Sequence, residues 1–157
     1  MNIFCLDRDP VRAAEYQCNK HVVKMIVETA QMLSTAYPNG VAPYKHTHVN
    51  HPCALWARWS LSNFTWLLTH GFALCNEYTK RYGKVHATQA AMSWFLINPP
   101  TMQDIGLTPF VTAIKDVSYH RSDPVDAYRA YYVGDKARFA KWAPKARPPS
   151  WWPDQNA

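Results

Sequence analysis

Gln17-Cys18-Asn19-Lys20-His21-Val22-Val23-Lys24-Met25-Ile26-Val27-Glu28-Thr29-Ala30-Gln31 carries the fold in its spacing. Cys18, Val22, Met25 and Ile26 recur at intervals of three and four, the period of a helix that buries one stripe. The same stripe continues upstream through Val11 and Ala14 and downstream through Met32 and Leu33. Asp9 offers an N-cap oxygen and Pro10 the fixed φ of a first helical residue, so the pattern predicts one long amphipathic helix ending before Pro38-Asn39-Gly40. On its other face Gln17, His21, Lys24, Glu28 and Gln31 step by 4, 3, 4 and 3, with Lys20 beside them. Any mixture of charges keeps a helix wet; a base, cations, a carboxylate and amides on one face read as the wall of a reaction pocket.

The rest of the chain repeats the helical grammar. After a loop over residues 38–51, Pro52 starts a second long helix through Trp56, Phe64, Leu67, Leu74 and Tyr78, closing at Gly83. A third helix runs from about His86 to Ile97 and stops at Asn98-Pro99-Pro100. Residues 101–121 read as loop with a short turn over 109–115. Ser122-Asp123-Pro124 then opens a fourth helix that continues past Gly134 to Trp142, before a Pro-rich tail. No alternating strand pattern occurs, so the expected class is all-α: one domain over residues 1–157, with two long helices and an aromatic, basic C-terminal tail.

At 157 residues and 48% hydrophobic the chain suffices for one core. No apolar run nears the roughly 20 residues that span a bilayer, and MNIFCLDRDP is no signal peptide, so a cytoplasmic protein without a membrane partner is expected, in the host cytoplasm if phage-encoded. Cys5, Cys18, Cys53 and Cys75 form no CxxC pair, and His46, His48 and His51 lack a second ligand pair, so neither a disulfide nor a metal nor another cofactor is expected. Gly-rich phosphate loops, GxSxG elbows and Walker lysines are absent from the sequence. A net charge of +6 with seven Trp and nine Tyr suits a polyanion whose bases stack on rings, so double-stranded DNA is the expected partner of a monomer.

Around the stripe, Gln17, Asn19 and Gln31 are expected to bind substrate. Asn50 or His51 caps the second helix, where free N–H groups favour a phosphate. Arg121, Tyr128 and Arg129 form a candidate phosphodiester or base grip. Lys45, His48, Tyr132, Lys136, Lys141, Lys145, Arg147 and Trp151 are candidate DNA contacts, basic groups interleaved with rings.

MNIFCLDRDPVRAAEYQCNKHVVKMIVETAQML, HVNHPCALW, EYTKRYGK and DAYRAYYVGDKARFAKW together resemble a family of small phage and bacterial proteins over most of the chain. A first helix bearing the polar site, an Asn-His-Pro step into a second helix and an aromatic basic tail are also similar to the layout of phage pyrimidine-dimer DNA glycosylases. That resemblance implies a glycosylase-like helical domain. Two positions depart from it. Those glycosylases resemble N-terminal-amine lyases with a small second residue so that Met1 is removed, whereas Asn2 leaves Met1 in place; and Val23 stands where the catalytic Glu is expected, with Glu28 the nearest carboxylate on the stripe. Both point away from an imine-forming lyase.

The resemblance also extends to the small glycosylase-like enzymes of thymine hypermodification, the amino acid:DNA transferases. It implies transfer of an amino acid such as glycine, a small co-substrate, onto 5-phosphomethyl-deoxyuridine flipped from duplex DNA. In that reading His21 accepts a proton, Lys20 and Lys24 hold the departing phosphate, and Glu28 orients the amine or His21. The alternatives are a pyrimidine-dimer type glycosylase, in which Glu28 activates water or stabilises the sugar cation, and a non-catalytic DNA-binding protein.

Overall fold

The computed structural model describes residues 1–153 and places six α-helices along them: α1 (Pro10–Glu15), α2 (Asn19–Ser34), α3 (Pro52–Ala57), α4 (Leu61–Tyr82), α5 (Gln89–Ile97) and α6 (Pro124–Tyr131). A 3-10 turn over Val117–Tyr119 precedes α6 and a π-helical turn, Tyr132–Lys136, follows it. Among the described residues there is no strand, so the class is all-α. None of these helices is long and apolar enough to cross a membrane.

The helix starts obey local chemistry. Asp9 Oδ1 accepts from Val11 N at 2.9 Å, and Asp123 Oδ1 from Val125 N at 3.0 Å, each ahead of a proline at the first helical position. Gly83, at φ 73°, closes α4 in the left-handed region.

Both long helices of the sequence reading are broken, and distant groups break them. A continuous first helix would give the carbonyls of Glu15 and Gln17 to N–H groups four residues on. Instead Arg81 takes both, at 3.0 and 2.7 Å, while Asn19 N donates to Lys141 O at 2.7 Å. Gln17 therefore lies in the turn between α1 and α2, off the stripe. The second break falls at Arg58–Ser60, where residues 103–106 dock: Leu61 N donates to Gln103 O at 2.8 Å, Ser60 Oγ to Gly106 O at 2.8 Å, and Asp104 accepts from Ser62 N. The third helix begins at Gln89 instead of His86, and the fourth loses its α geometry at Tyr132.

Helix α4 is the spine, with α1 and α2 packed along it and α5 across α4 and α2. Leu6, Ile26, Leu33, Leu67, Leu74, Met92 and Phe95 fill the space between them. A Cβ on Gly71 would stand 2.8 Å from Met92 Sδ and 3.2 Å from Thr29, so glycine permits the close approach of α2, α4 and α5. Much of the aromatic surplus is core: Trp56, Trp66 and Trp142 are buried with their indole N–H groups on Pro109 O, Arg8 O and Tyr16 O.

Candidate active site

The chain begins inside the protein. Ile3, Phe4, Cys5 and Leu6 are buried, and the α-amine of Met1 stands 3.1 Å from Glu28 Oε1. The other oxygen of Glu28 faces Lys24 Nζ at 3.7 Å, one helical turn back on α2. Asn2 fixes the terminus: its Nδ2 donates to Ala113 O at 3.2 Å, while its Oδ1 accepts from Ile3 N at 3.0 Å and from the Tyr128 hydroxyl. That hydroxyl in turn accepts from Ala113 N at 3.0 Å.

The amine opens onto a cavity of about 530 Å³. One wall is Met1, Asn2, Phe4, His21, Lys24, Met25, Glu28 and His51; the other is Ala113, Lys115, Asp116, Tyr119, Tyr131, Asp135 and Lys136. Four cationic groups (the amine, Lys24, Lys115 and Lys136) face three carboxylates (Glu28, Asp116 and Asp135) around it. The volume matches that of ordinary small-molecule pockets.

His21 lies flat on Phe4, centroids 4.4 Å apart, with Nδ1 2.6 Å from the Tyr132 hydroxyl. Burial, helped by Lys136, Lys24 and Lys20, pushes its pKa down to about 3. The ring is therefore neutral across the physiological range. In this setting the neutral imidazole is a hydrogen-bonding group on the cavity wall, held by the Tyr132 hydroxyl. Burial likewise pushes the Tyr132 phenol well above its usual range and keeps its hydroxyl protonated.

The opposite wall is irregular. Tyr119 and Tyr131 place their rings 5.3 Å apart, and Lys136 Nζ sits 4.5 Å from the Tyr131 ring centroid and 3.3 Å from its hydroxyl. Lys136 also meets Asp135 Oδ2 at 3.0 Å. Neighbouring residues on an α-helix diverge; the π-helical turn brings these two to one edge.

Of the residues singled out from the sequence, His21, Lys24, Glu28, His51 and Lys136 share this cavity. Lys20 is exposed over the Phe139 ring and outside the lining. Gln17 is buried, its Nε2 3.0 Å from His70 Nε2. Asn19 is a strut between Arg81 and Ala143 O, and Gln31 is half-buried and away from the lining. His51 caps α3 by accepting from Cys53 N, whereas Asn50 is exposed. Arg121 folds onto the carbonyls of Ser118 and His120. Tyr128 and Tyr132 are core residues, and Arg129 is spent on Leu6 O and Asp7 between the Tyr16 and Trp151 rings. The expected phosphodiester grip of Arg121, Tyr128 and Arg129 is thus dispersed by backbone carbonyls that need donors.

Lys45 and His48 stand exposed in the 38–51 loop, and Lys141 is exposed in the tail. Lys145 and Arg147 border a separate concavity with Glu15, Glu77 and Lys80. Trp151 is half-buried, edge-on to Tyr16. From the sequence, Asn2 points away from a reacting terminal amine, and of the opposite wall only Lys136 stands out; the clamp at Asn2 and the remainder of that wall carry no periodic signal. A terminal amine has no place in a side-chain period.

Residues 1–90 match the family model described as pyrimidine dimer DNA glycosylase. No curated protein and no solved structure matches the chain. The match holds the amine, Glu28 and the first wall of the cavity, and it stops before the second.

Proposed function

The chain belongs to the pyrimidine dimer DNA glycosylase family, and from that membership we propose that it excises a damaged or modified pyrimidine from duplex DNA, with the Met1 α-amine as nucleophile and Glu28 as its proton acceptor. The observation that carries this reading is the 3.1 Å approach of that amine to a carboxylate on the cavity wall. It removes both objections raised by the sequence. A retained Met1 still ends in a primary amine, and Glu28 reaches it although position 23 is Val.

The amine lone pair attacks C1′ of the extrahelical nucleotide, the glycosidic bond breaks, and the base departs with the bonding pair and takes up a proton. Glu28 accepts a proton from the newly bonded nitrogen. The nitrogen lone pair then forms C1′=N as O4′ leaves with the C1′–O4′ bonding pair and takes up the remaining nitrogen proton, giving an imine between Met1 and the sugar; water hydrolyses it to an abasic aldehyde and returns the amine. Lys24, Lys115 and Lys136 supply positive charge for the flanking phosphates, consistent with a net charge of +6.

Base excision displaces the amino-acid transfer that the resemblance to thymine-hypermodification enzymes implied. The family favours it, and the amine that Glu28 was expected to orient on a second substrate is supplied by the chain itself. Borohydride in the presence of duplex DNA bearing a pyrimidine dimer or an abasic site should yield a covalent adduct that maps to residue 1. Base release with no adduct, or an adduct on a lysine, would overturn the amine assignment. An amino-acid adduct on the base of 5-phosphomethyl-deoxyuridine DNA would overturn excision itself.

A further inference from the structure

Asn2 stands at the meeting point of the two walls. Its amide donates to Ala113 O at 3.2 Å, its oxygen takes the Tyr128 hydroxyl and Ile3 N, and the Tyr128 hydroxyl closes the ring by accepting from Ala113 N at 3.0 Å. Every polar atom of the Asn2 side chain and of the Tyr128 side chain is engaged, and Tyr128 is fully buried. Three of the four contacts reach residues outside the stretch that matches the family. A closed ring of this kind leaves the backbone of residue 2 one position, and the amine one residue earlier follows it.

Resting on the reading of the Met1 amine as nucleophile, we infer that Asn2 is a positioning residue with two effects: it clamps the chain start so that the amine meets Glu28, and it sets the register by keeping Met1 in place. Consecutive Cα atoms lie about 3.8 Å apart, so loss of Met1 would withdraw the amine from Glu28 by roughly the length of a residue. A displacement of about 1 Å already costs a reaction of this type on the order of a hundredfold.

The two effects separate by substitution. Asn2→Gln keeps a large second residue, hence Met1, but its longer side chain cannot close the ring. Asn2→Ser, a small residue, exposes the chain to removal of Met1. Intact mass establishes the terminus of each variant, and borohydride trapping on abasic DNA is measured against DNA concentration. For Asn2→Gln the expected result is a trapping rate at saturating DNA at least tenfold below wild type, with the half-saturating concentration changed less than twofold. For Asn2→Ser lacking Met1 the expected loss is a hundredfold or more. Tyr128→Phe removes the bridging hydroxyl and keeps the ring; it should reproduce the Asn2→Gln result and serves if that variant fails to fold.

Wild-type trapping rates in folded Asn2→Gln and Tyr128→Phe would overturn the clamp, and a wild-type rate in Asn2→Ser without Met1 would overturn the register. Parallel changes in rate and half-saturation would assign the ring a purely structural role and also overturn it. Absence of any residue-1 adduct from the wild-type protein would instead remove the function on which the inference rests.

Discussion

The two walls of the cavity are built by different physics. The first comes from residues 1–90: His21, Lys24 and Glu28 project at intervals of three and four from α2, which is pinned to α4, and the non-helical lead Met1, Asn2 and Phe4 is laid against them. The second comes from residues 113–136 and sits on a loop, a single 3-10 turn, the last residue of α6 and a π-helical turn, where Tyr119 packs on Gly134 and Lys136 turns toward its own neighbour. The wall that holds the reacting groups is rigid and shared with the family; the wall facing it is irregular and lies outside the family match. This is the division expected when chemistry needs fixed geometry and recognition is adjusted by loops.

The rigidity of the first wall is the claim with the largest expected effect. Arg81, itself buried with Glu77 and Gln17, holds Glu77 at 2.9 Å together with the carbonyls of Glu15 and Gln17 and the side chain of Asn19. Arg81→Met should cost about 3–5 kcal/mol in urea unfolding, because it leaves a carboxylate and two carbonyls without a donor. A cost below about 1 kcal/mol would mean that the α1–α2 break does not depend on it.

Glu28→Gln comes next. The amide still hydrogen-bonds the amine but takes no proton, so residue-1 trapping and base release should both fall at least a hundredfold, about 2.7 kcal/mol of barrier. Unchanged rates would transfer the proton to Asp116 or Asp135 and place the chemistry on the second wall.

What could be read from the sequence divides along the same line. The Asp-Pro helix starts, the Gly83 stop and the helical stripe are local, and each stands where the residues predicted it. The breaks at 16–18 and 58–60 were invisible because the groups that make them, Arg81 and residues 103–106, are remote in sequence. His21, Lys24 and Glu28 were legible through helical spacing, whereas Asp135 and Lys136 pair within a π-helical turn that such spacing does not announce. Gln17 looked functional because its polarity was visible and its burial was not, and Asn19 because its partners, Arg81 and Ala143, are remote in sequence.

Acid should separate the walls by their histidines. His21 and His70 both belong to residues 1–90 and are buried neutral, with burial pushing their pKa values down to about 3 and about 4. Below the ordinary value of about 6.5 the unfolded chain binds protons that the native protein does not, so stability is full above that pH and is lost as pH falls toward 4 and 3. Between pH 7 and pH 5 each histidine should remove about 2 kcal/mol, read by denaturant unfolding at the two values. His70→Gln should halve the loss; an unaltered slope would mean that His70 is not charged on unfolding in this range.

The smallest effect tests the second wall. A Cβ on Gly134 would overlap the Tyr119 ring at Cε1 and come within 2.7 Å of its hydroxyl. Gly134 is not among the residues at positive φ, so alanine fits the backbone, and in a helical turn it adds roughly 0.5–1 kcal/mol of stability. The ring must therefore swing out, opening the 5.3 Å pairing with Tyr131 while the amine and Glu28 stay 3.1 Å apart on the far side of the cavity. Gly134→Ala should be at least as stable as wild type, and release of a damaged base should fall about tenfold, or 1.4 kcal/mol, relative to trapping on abasic DNA, which presents no base to hold. Equal losses on the two substrates would show that Tyr119 supports the amine and that the walls do not divide the labour; no loss on either would take base recognition away from this side.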